Sequence, residues 1–262
     1  MSQRLVRAKA KIRDAGLAFE VPGAGELGER VDTVLETIYA AFGSGWDDIA
    51  GADPQRRGLA EEAIWLGRLV GRLLPEEPEA AGLLALMLHC EARRAARRDA
   101  MGAYVPLSRQ DVTRWARPMI EEAERALLAA GRAGRLGRFQ LEAAIQSAHA
   151  QRARSGGTDW EAIALLYEGL VRIAPTIGAR VGQAAALAEA RGPDSALTAL
   201  GGIPAEAIAS YQPYWALRAH LLGTLGRPEE AAEAYARAIE LSEDPAVRVF
   251  LAEKVGALRA RP

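Results

Sequence analysis

The stretch PYWALRAHLLGTLGRPEEAAEAYARAIEL (Pro213–Leu241) decides the fold. Two runs of strong helix formers are parted by Leu225, Gly226 and Arg227, and Pro228 opens the second run. Trp215, Ala219, Ala231, Tyr235 and Ala238 sit at the three-to-four spacing that places them on the facing sides of two helices. Small Ala219 and Ala231 let the helices approach closely, Gly226 allows the turn, and Tyr235 fills the gap towards a following helix. The stretch therefore predicts an antiparallel helical hairpin built to stack on a neighbour.

These positions match the tetratricopeptide pattern of Trp, small residue, turn Gly, Ala, aromatic and Ala. The terminal proline of that pattern falls at Glu243, and Pro245 follows two residues later. Upstream, Gly178–Leu200 gives a weaker match, with Ala185 at the small position and Gly192 at the turn. Trp160–Pro175 reads as another second helix, with Tyr167 and Pro175 in register. Pro245–Arg259 is predicted as the capping helix that a stacked array needs.

Working outward, Glu26–Phe42, Gly58–Leu74, Pro78–Arg98 and Arg109–Ala130 read as helices, the last broken or restarted at Pro118. GSGWDDIAGADP (Gly43–Pro54) reads as a loop, and DAMGAYVPLS (Asp99–Ser108) as irregular. Ser2–Ala15 reads as a basic helix, followed by a Pro- and Gly-broken linker. The predicted fold class is all-α: an irregular helical bundle followed by tetratricopeptide-like helical hairpins. The predicted divisions are 1–20 for the basic helix and linker, 21–135 for the bundle, and 136–262 for the repeats and cap.

Composition agrees with a helical, water-exposed chain. Hydrophobic residues make up 50% and aromatics 6% of the 262 residues. Lysine and arginine number 33 against 34 acids, a formal net charge of −1, which argues against a surface that clings everywhere to nucleic acid or anionic lipid. Cys90 is the single cysteine, so no internal disulfide and no cysteine-based zinc site is expected. No long uncharged apolar run occurs, and the N-terminus lacks the apolar core of a secretory signal, so a cytoplasmic location is expected.

Several ordered stretches carry a family resemblance. QRLVRAKAKIRDAGLAFEVP (Gln3–Pro22), LLPEEPEAAGLLALMLHCEARRAAR (Leu73–Arg97), RQDVTRW (Arg109–Trp115), GRFQLEAAIQSAHA (Gly137–Ala150), TDWEAIALLYEGL (Thr158–Leu170) and AEARGPDSAL (Ala188–Leu197) occur in that order. Together they resemble the C-terminal tetratricopeptide-like extension of extracytoplasmic-function (ECF) RNA polymerase sigma factors, across essentially the whole chain. The resemblance implies a regulatory, protein-interacting module in transcription initiation, whose partners are the sigma core domains or RNA polymerase. Such a factor begins with region two, which docks on polymerase, and region four, which reads promoter DNA. Neither is present here beyond Ser2–Ala15, which resembles the last helix of region four. The chain is therefore expected to be either an extension taken from a longer factor or one that lost, or was separated from, its sigma core. GSGWDD (Gly43–Asp48) departs from the Asn-Glu-Gly-Tyr-like stretch of the family.

Four groups of residues are candidates for function. Arg93, Arg94, Arg97 and Arg98 are expected on adjacent strips of one helix end. They would meet an acidic partner or phosphate, or form internal ion pairs with Asp99 and Asp111. In the basic helix, Arg4, Arg7, Lys9 and Lys11 are the residual DNA-proximal charges, or else a solvated face. In the clearest repeat Ala216, His220 and Gly223 should line the concave face that meets a partner. His89 beside Cys90 is no catalytic dyad, because neighbouring helical residues point about 100° apart. His149 and His220 have no companion ligands at helical spacing, and Asp47–Asp48 reads as a capping or solvated pair. The five tryptophans read as core, with their N–H groups bonded to carbonyls. No cofactor, metal site or enzymatic activity is expected. The alternative is a free-standing helical-repeat scaffold or a small-ligand-binding domain outside transcription.

Overall fold

The computed structural model describes residues 10, 11, 14–16, 27–47, 56 and 58–259. The fold is all-α. Among the described residues the only strand-like pairing is an isolated bridge between Arg98 and Tyr104. The chain divides into two compact units, residues 1–73 and 74–262.

In the first unit α1 (Leu27–Asp47) packs on α2 (Leu59–Leu73). Leu35, Ile38 and Phe42, three and four positions apart on one helix face, are buried, whereas Val34 is exposed. The helix runs on through Gly43, Ser44, Gly45 and Trp46, which sequence spacing assigned to a loop. The reason is packing. A Cβ on Gly45 would stand 2.5 Å from the main-chain nitrogen of Ala60, so the glycine marks where α1 and α2 touch rather than where a helix breaks. Trp65, expected in the core, is half exposed.

The second unit begins with α3 (Pro78–Glu91), which packs against α4 (Arg117–Arg132) and α5 (Arg138–Ala150). Pro78 occupies the first turn of α3, and Pro118 that of α4. Gly82 lets α3 meet α5, since a Cβ there would lie 2.7 Å from the Gln140 nitrogen. The start of α5 has no cap of its own, because its N-cap is Gly137. Glu79 of α3 supplies one, accepting from the main-chain N–H groups of Phe139 (2.7 Å) and Gln140 (3.1 Å) and from Gln140 Nε2 (3.1 Å). A carboxylate at a helix N-terminus also meets the positive end of the helix dipole.

From there the chain is a run of short helices. A single turn α6 (Arg152–Ser155) leads to α7 (Trp160–Ile173), α8 (Ile177–Arg191), α9 (Pro193–Gly201), the one-turn α10 (Ala205–Ile208), α11 (Gln212–Thr224), α12 (Pro228–Leu241) and α13 (Pro245–Arg259). Asp159 caps α7 through Ala162 N, and Thr176 caps α8 through Ala179 N. The core is relayed along the array in overlapping clusters. Leu141, Ile145, Ile163, Leu170 and Ala179 join α5, α7 and α8. Val181, Ala184, Leu200, Tyr214 and Leu221 join α8, α9 and α11. Ala219, Leu222, Ala231, Tyr235 and Leu251 join α11, α12 and α13. Ala219, Ala231 and Ala238 are fully buried, and Gly226 turns the chain at φ +72°, a conformation a side chain disfavours.

Candidate functional site

Sequence spacing predicts that α3 continues to Arg98. Instead it stops at Glu91; Arg93 lies on a turn, Arg94 opens a 3-10 helix (Arg94–Ala96), and Arg97 and Arg98 follow it, the latter in the bridge to Tyr104. They therefore point in different directions rather than along one face. Arg93 folds back into the interior. Its Nε donates to the His89 carbonyl at 3.3 Å, and its Nη2 reaches Gln146 Oε1 and, at 3.9 Å, Cys90 Sγ. Arg94 pairs with Glu91 at 2.6 Å. Arg98 pairs with Asp244, at the start of α13, and lies over the Tyr104 ring. Asp99 and Asp111 serve turns instead of arginines. Asp99 Oδ1 accepts from Met101 N and Ala103 N, both at 2.9 Å. Asp111 Oδ1 accepts from the Thr113 N–H (2.9 Å) and hydroxyl (2.7 Å), which hold its carboxyl below the usual carboxylate range.

Arg93 is 9% exposed, and among the described residues no carboxylate lies within ion-pairing distance of it. Its charge is spread over carbonyl and amide oxygens. The neighbouring histidines adjust to it. Burial, reinforced by Arg93, lowers the His89 pKa to about 4. Burial also lowers that of His149 to about 4, with help from Arg93 and Arg152. Both imidazoles are thus neutral at pH 7. His89 Nε2 lies 3.5 Å from Glu124 Oε1, which itself accepts from Ser147 Oγ at 2.6 Å. Burial pushes the Cys90 thiol up, against the pull of Arg93, so it is not poised as a nucleophile. Among the described residues no group of three or more His, Cys, Asp or Glu could hold a metal ion.

The segment after the arginine turn, residues 97–116, runs without α-helix to α4. Arg152 anchors it by donating to the carbonyls of Leu107 (3.0 Å) and Gln110 (3.1 Å), and lies over the Trp115 ring at 5.2 Å. Its far side faces α13. There Tyr104 meets Phe250 edge-on with centroids 5.3 Å apart, and Arg109 lies 5.5 Å from the same Phe250 ring. Between segment and helix runs an open groove of about 690 Å³, lined among others by Asp99, Tyr104, Arg109, Pro245, Phe250 and Glu253. Sequence spacing gives no sign of this groove. Its one trace is a long irregular stretch in an otherwise helical chain.

The other candidates fall elsewhere. His220 is exposed, Ala216 is half-buried in the α11–α13 cluster, and Gly223 abuts Leu258 of α13, where a Cβ would stand 2.9 Å from Leu258 Cδ2. His220 and Gly223 line a pocket of about 150 Å³ together with Lys254 and Tyr235. The last helix thus covers part of the face that spacing assigns to a partner. Arg4, Arg7 and Lys9 lie outside the described residues, and Lys11 is exposed. Trp215 donates its indole N–H to the Ile208 carbonyl at 3.0 Å, as expected, but the buried Trp115 N–H has no partner among the described residues. No helix among the described residues is long and apolar enough to cross a membrane.

Comparison with known proteins places likeness over the whole chain. Residues 30–131 match a family of unknown function, DUF6596. The chain is 40% identical over 262 residues to an uncharacterized protein of Rhizobium meliloti (strain 1021). That alignment takes in 100% of this chain and 62% of the relative, so the chain spans less than two thirds of the length of the protein it resembles.

Proposed function

We propose that this chain is the regulatory, protein-interaction extension of a sigma factor of the ECF type. It acts in the cytoplasm in transcription initiation through contacts with sigma core domains or RNA polymerase. The observation that carries this reading is the array of stacked helical hairpins from α7 to α13, with small Ala219 and Ala231 and aromatic Tyr235 at its helix contacts. Such arrays present extended surfaces to other proteins. A second support is size. The Rhizobium meliloti relative has about 160 residues beyond the aligned region, room for two small helical domains.

The test is association in trans. A fragment holding regions two and four of an ECF factor is titrated with this chain in a calorimeter, and promoter-directed transcription is measured alongside. Binding together with altered transcription is expected, and the chain alone should direct none, since specific initiation needs base-reading elements in the grooves. Absence of both binding and any effect on transcription overturns the proposal. It would shift weight to a ligand-binding domain, the reading favoured by the groove between Tyr104 and Phe250.

A further inference from the structure

We propose that residues 98–109 and helix α13 form a clasp, a conformational device whose two jaws open and close over the groove between them. The device is read from geometry and does not rest on the sigma-factor reading.

The jaws meet across 146 positions of sequence through side chains alone. Arg98 pairs with Asp244, Tyr104 packs edge-on against Phe250, and Arg109 lies over the same Phe250 ring. Among the described residues no main-chain hydrogen bond joins 97–116 to 242–259. By contrast, each jaw is firmly seated on its own side. Leu251, Val247, Val255 and Leu258 hold α13 in the cluster with α11 and α12. The hydrogen bond from Val105 N to the Arg97 carbonyl (3.0 Å) and the two from Arg152 hold the ends of the 98–109 jaw. What lies between the jaws is an open groove rather than packed side chains.

The closed position also leaves polar atoms unsatisfied. Among the described residues, Arg98 Nη1 in the 98–109 jaw is buried without a hydrogen-bond partner, as are Gln110 Oε1 and Trp115 Nε1 on the side seated by Arg152. Opening would return Arg98 Nη1 to water, which offsets part of the loss of its pair with Asp244. Contacts made only by side chains, opposed by a buried guanidinium nitrogen that gains from release, set two positions close in free energy.

Asp244 allows a clean test because its two oxygens do different work. Oδ2 meets Arg98, while Oδ1 caps α13 through Ala246 N at 2.9 Å. Asp244→Asn keeps a capping oxygen and removes the charge. Met101 and Val249 line opposite sides of the groove and are 91% and 59% exposed. Spin labels on Met101→Cys and Val249→Cys in the full chain, with Cys90→Ala, report the gap by double electron–electron resonance. Asp244→Asn should raise the long-distance population about tenfold, the loss expected for one charged hydrogen bond. Tyr104→Ala should move it the same way, with helical circular dichroism unchanged in both. Identical distance distributions in all three backgrounds, or a gap that widens only with general loss of helix, would overturn the clasp.

Discussion

The first half of the second unit and its repeat half bury different things. The buried polar or charged residues His89, Arg93, Gln110 and Gln140 all fall between α3 and the start of α5. From α7 to α13 the described interior is alanine, leucine, isoleucine, valine and tyrosine, and the ion pairs made within the array, such as Arg191–Glu161 and Arg227–Glu230, stay on the surface. The array is held by repeated small-residue packing that each neighbour renews. The region around the arginine turn is held by a polar network that works only as a whole. Acid, added volume and charge removal should therefore act unequally on the two.

Acid should have the largest effect, and it should act on the polar region. An unfolded histidine titrates near 6.5, whereas His89 and His149 sit near 4 in the fold. Between those values the unfolded state binds more protons, so stability falls as pH drops through the window and the loss is complete below about 4. For the 2%-exposed His89 the loss is on the order of 3 kcal/mol, and it is smaller for the half-buried His149. Among the described residues neither ring nitrogen of His89 makes a hydrogen bond, Glu124 Oε1 standing off at 3.5 Å, so His89→Leu should cost little at pH 7 and flatten the acid limb of a denaturation-versus-pH series. A variant as acid-labile as the parent would show that the histidine is not the sensitive group.

The same contrast explains what could be read in the sequence. The start at Trp160 and the bounds of Pro228–Leu241 and Pro245–Arg259 were legible because caps and first-turn prolines are local signals. The buried alanines at 219, 231 and 238 were legible because packing of like on like leaves a periodic trace. The end of α3 was not. RRAARR is made of good helix formers, and only the pull of Arg93 back onto His89 and Gln146 shows why it turns. The Gly43–Pro54 stretch reads as a loop because composition cannot tell a glycine that frees the backbone from one, such as Gly45, that admits a neighbour. The Arg98–Asp244 pair has no local signature, since its partners lie 146 positions apart.

Added volume should rank next. Gly82→Ala puts one methyl group against the backbone of Gln140, at the place where Glu79 also caps α5. Backbone yields only if both helices move, so the cost should be about 3 kcal/mol. Ala231→Val adds two methyl groups in the repeat half, where Gly223 and the Leu258 side chain border the site. Side chains yield more readily, and about 1–2 kcal/mol is expected. Urea unfolding of the two variants checks the order. A costlier Ala231→Val would mean that the array, not the α3–α5 contact, is the more tightly packed.

Charge removal should have the smallest effect, and here the two regions are matched almost group for group. Arg94 and Glu91 are three residues apart, at 2.6 Å, with side chains 25% and 9% exposed. Arg227 and Glu230 are also three apart, with two contacts at 2.6 and 2.7 Å, but both are solvent-exposed. Geometry alone favours the Arg227 pair, which is bidentate. Environment favours the Arg94 pair, because Glu91 Oε2 is already buried without a partner and losing Arg94 would strand the whole carboxylate. Arg94→Ala should therefore cost about 1 kcal/mol and lower the melting temperature. Arg227→Ala should leave it unchanged, since exposed pairs are screened and spend side-chain entropy to hold one geometry. The measurement also separates structure from recognition at the arginine turn. If Arg94→Ala melts like the parent yet weakens binding to DNA or to a sigma fragment, the arginine serves a partner and its pair with Glu91 is incidental. If it melts lower and binds unchanged, the turn is held from within, and the contact surface lies elsewhere on the molecule.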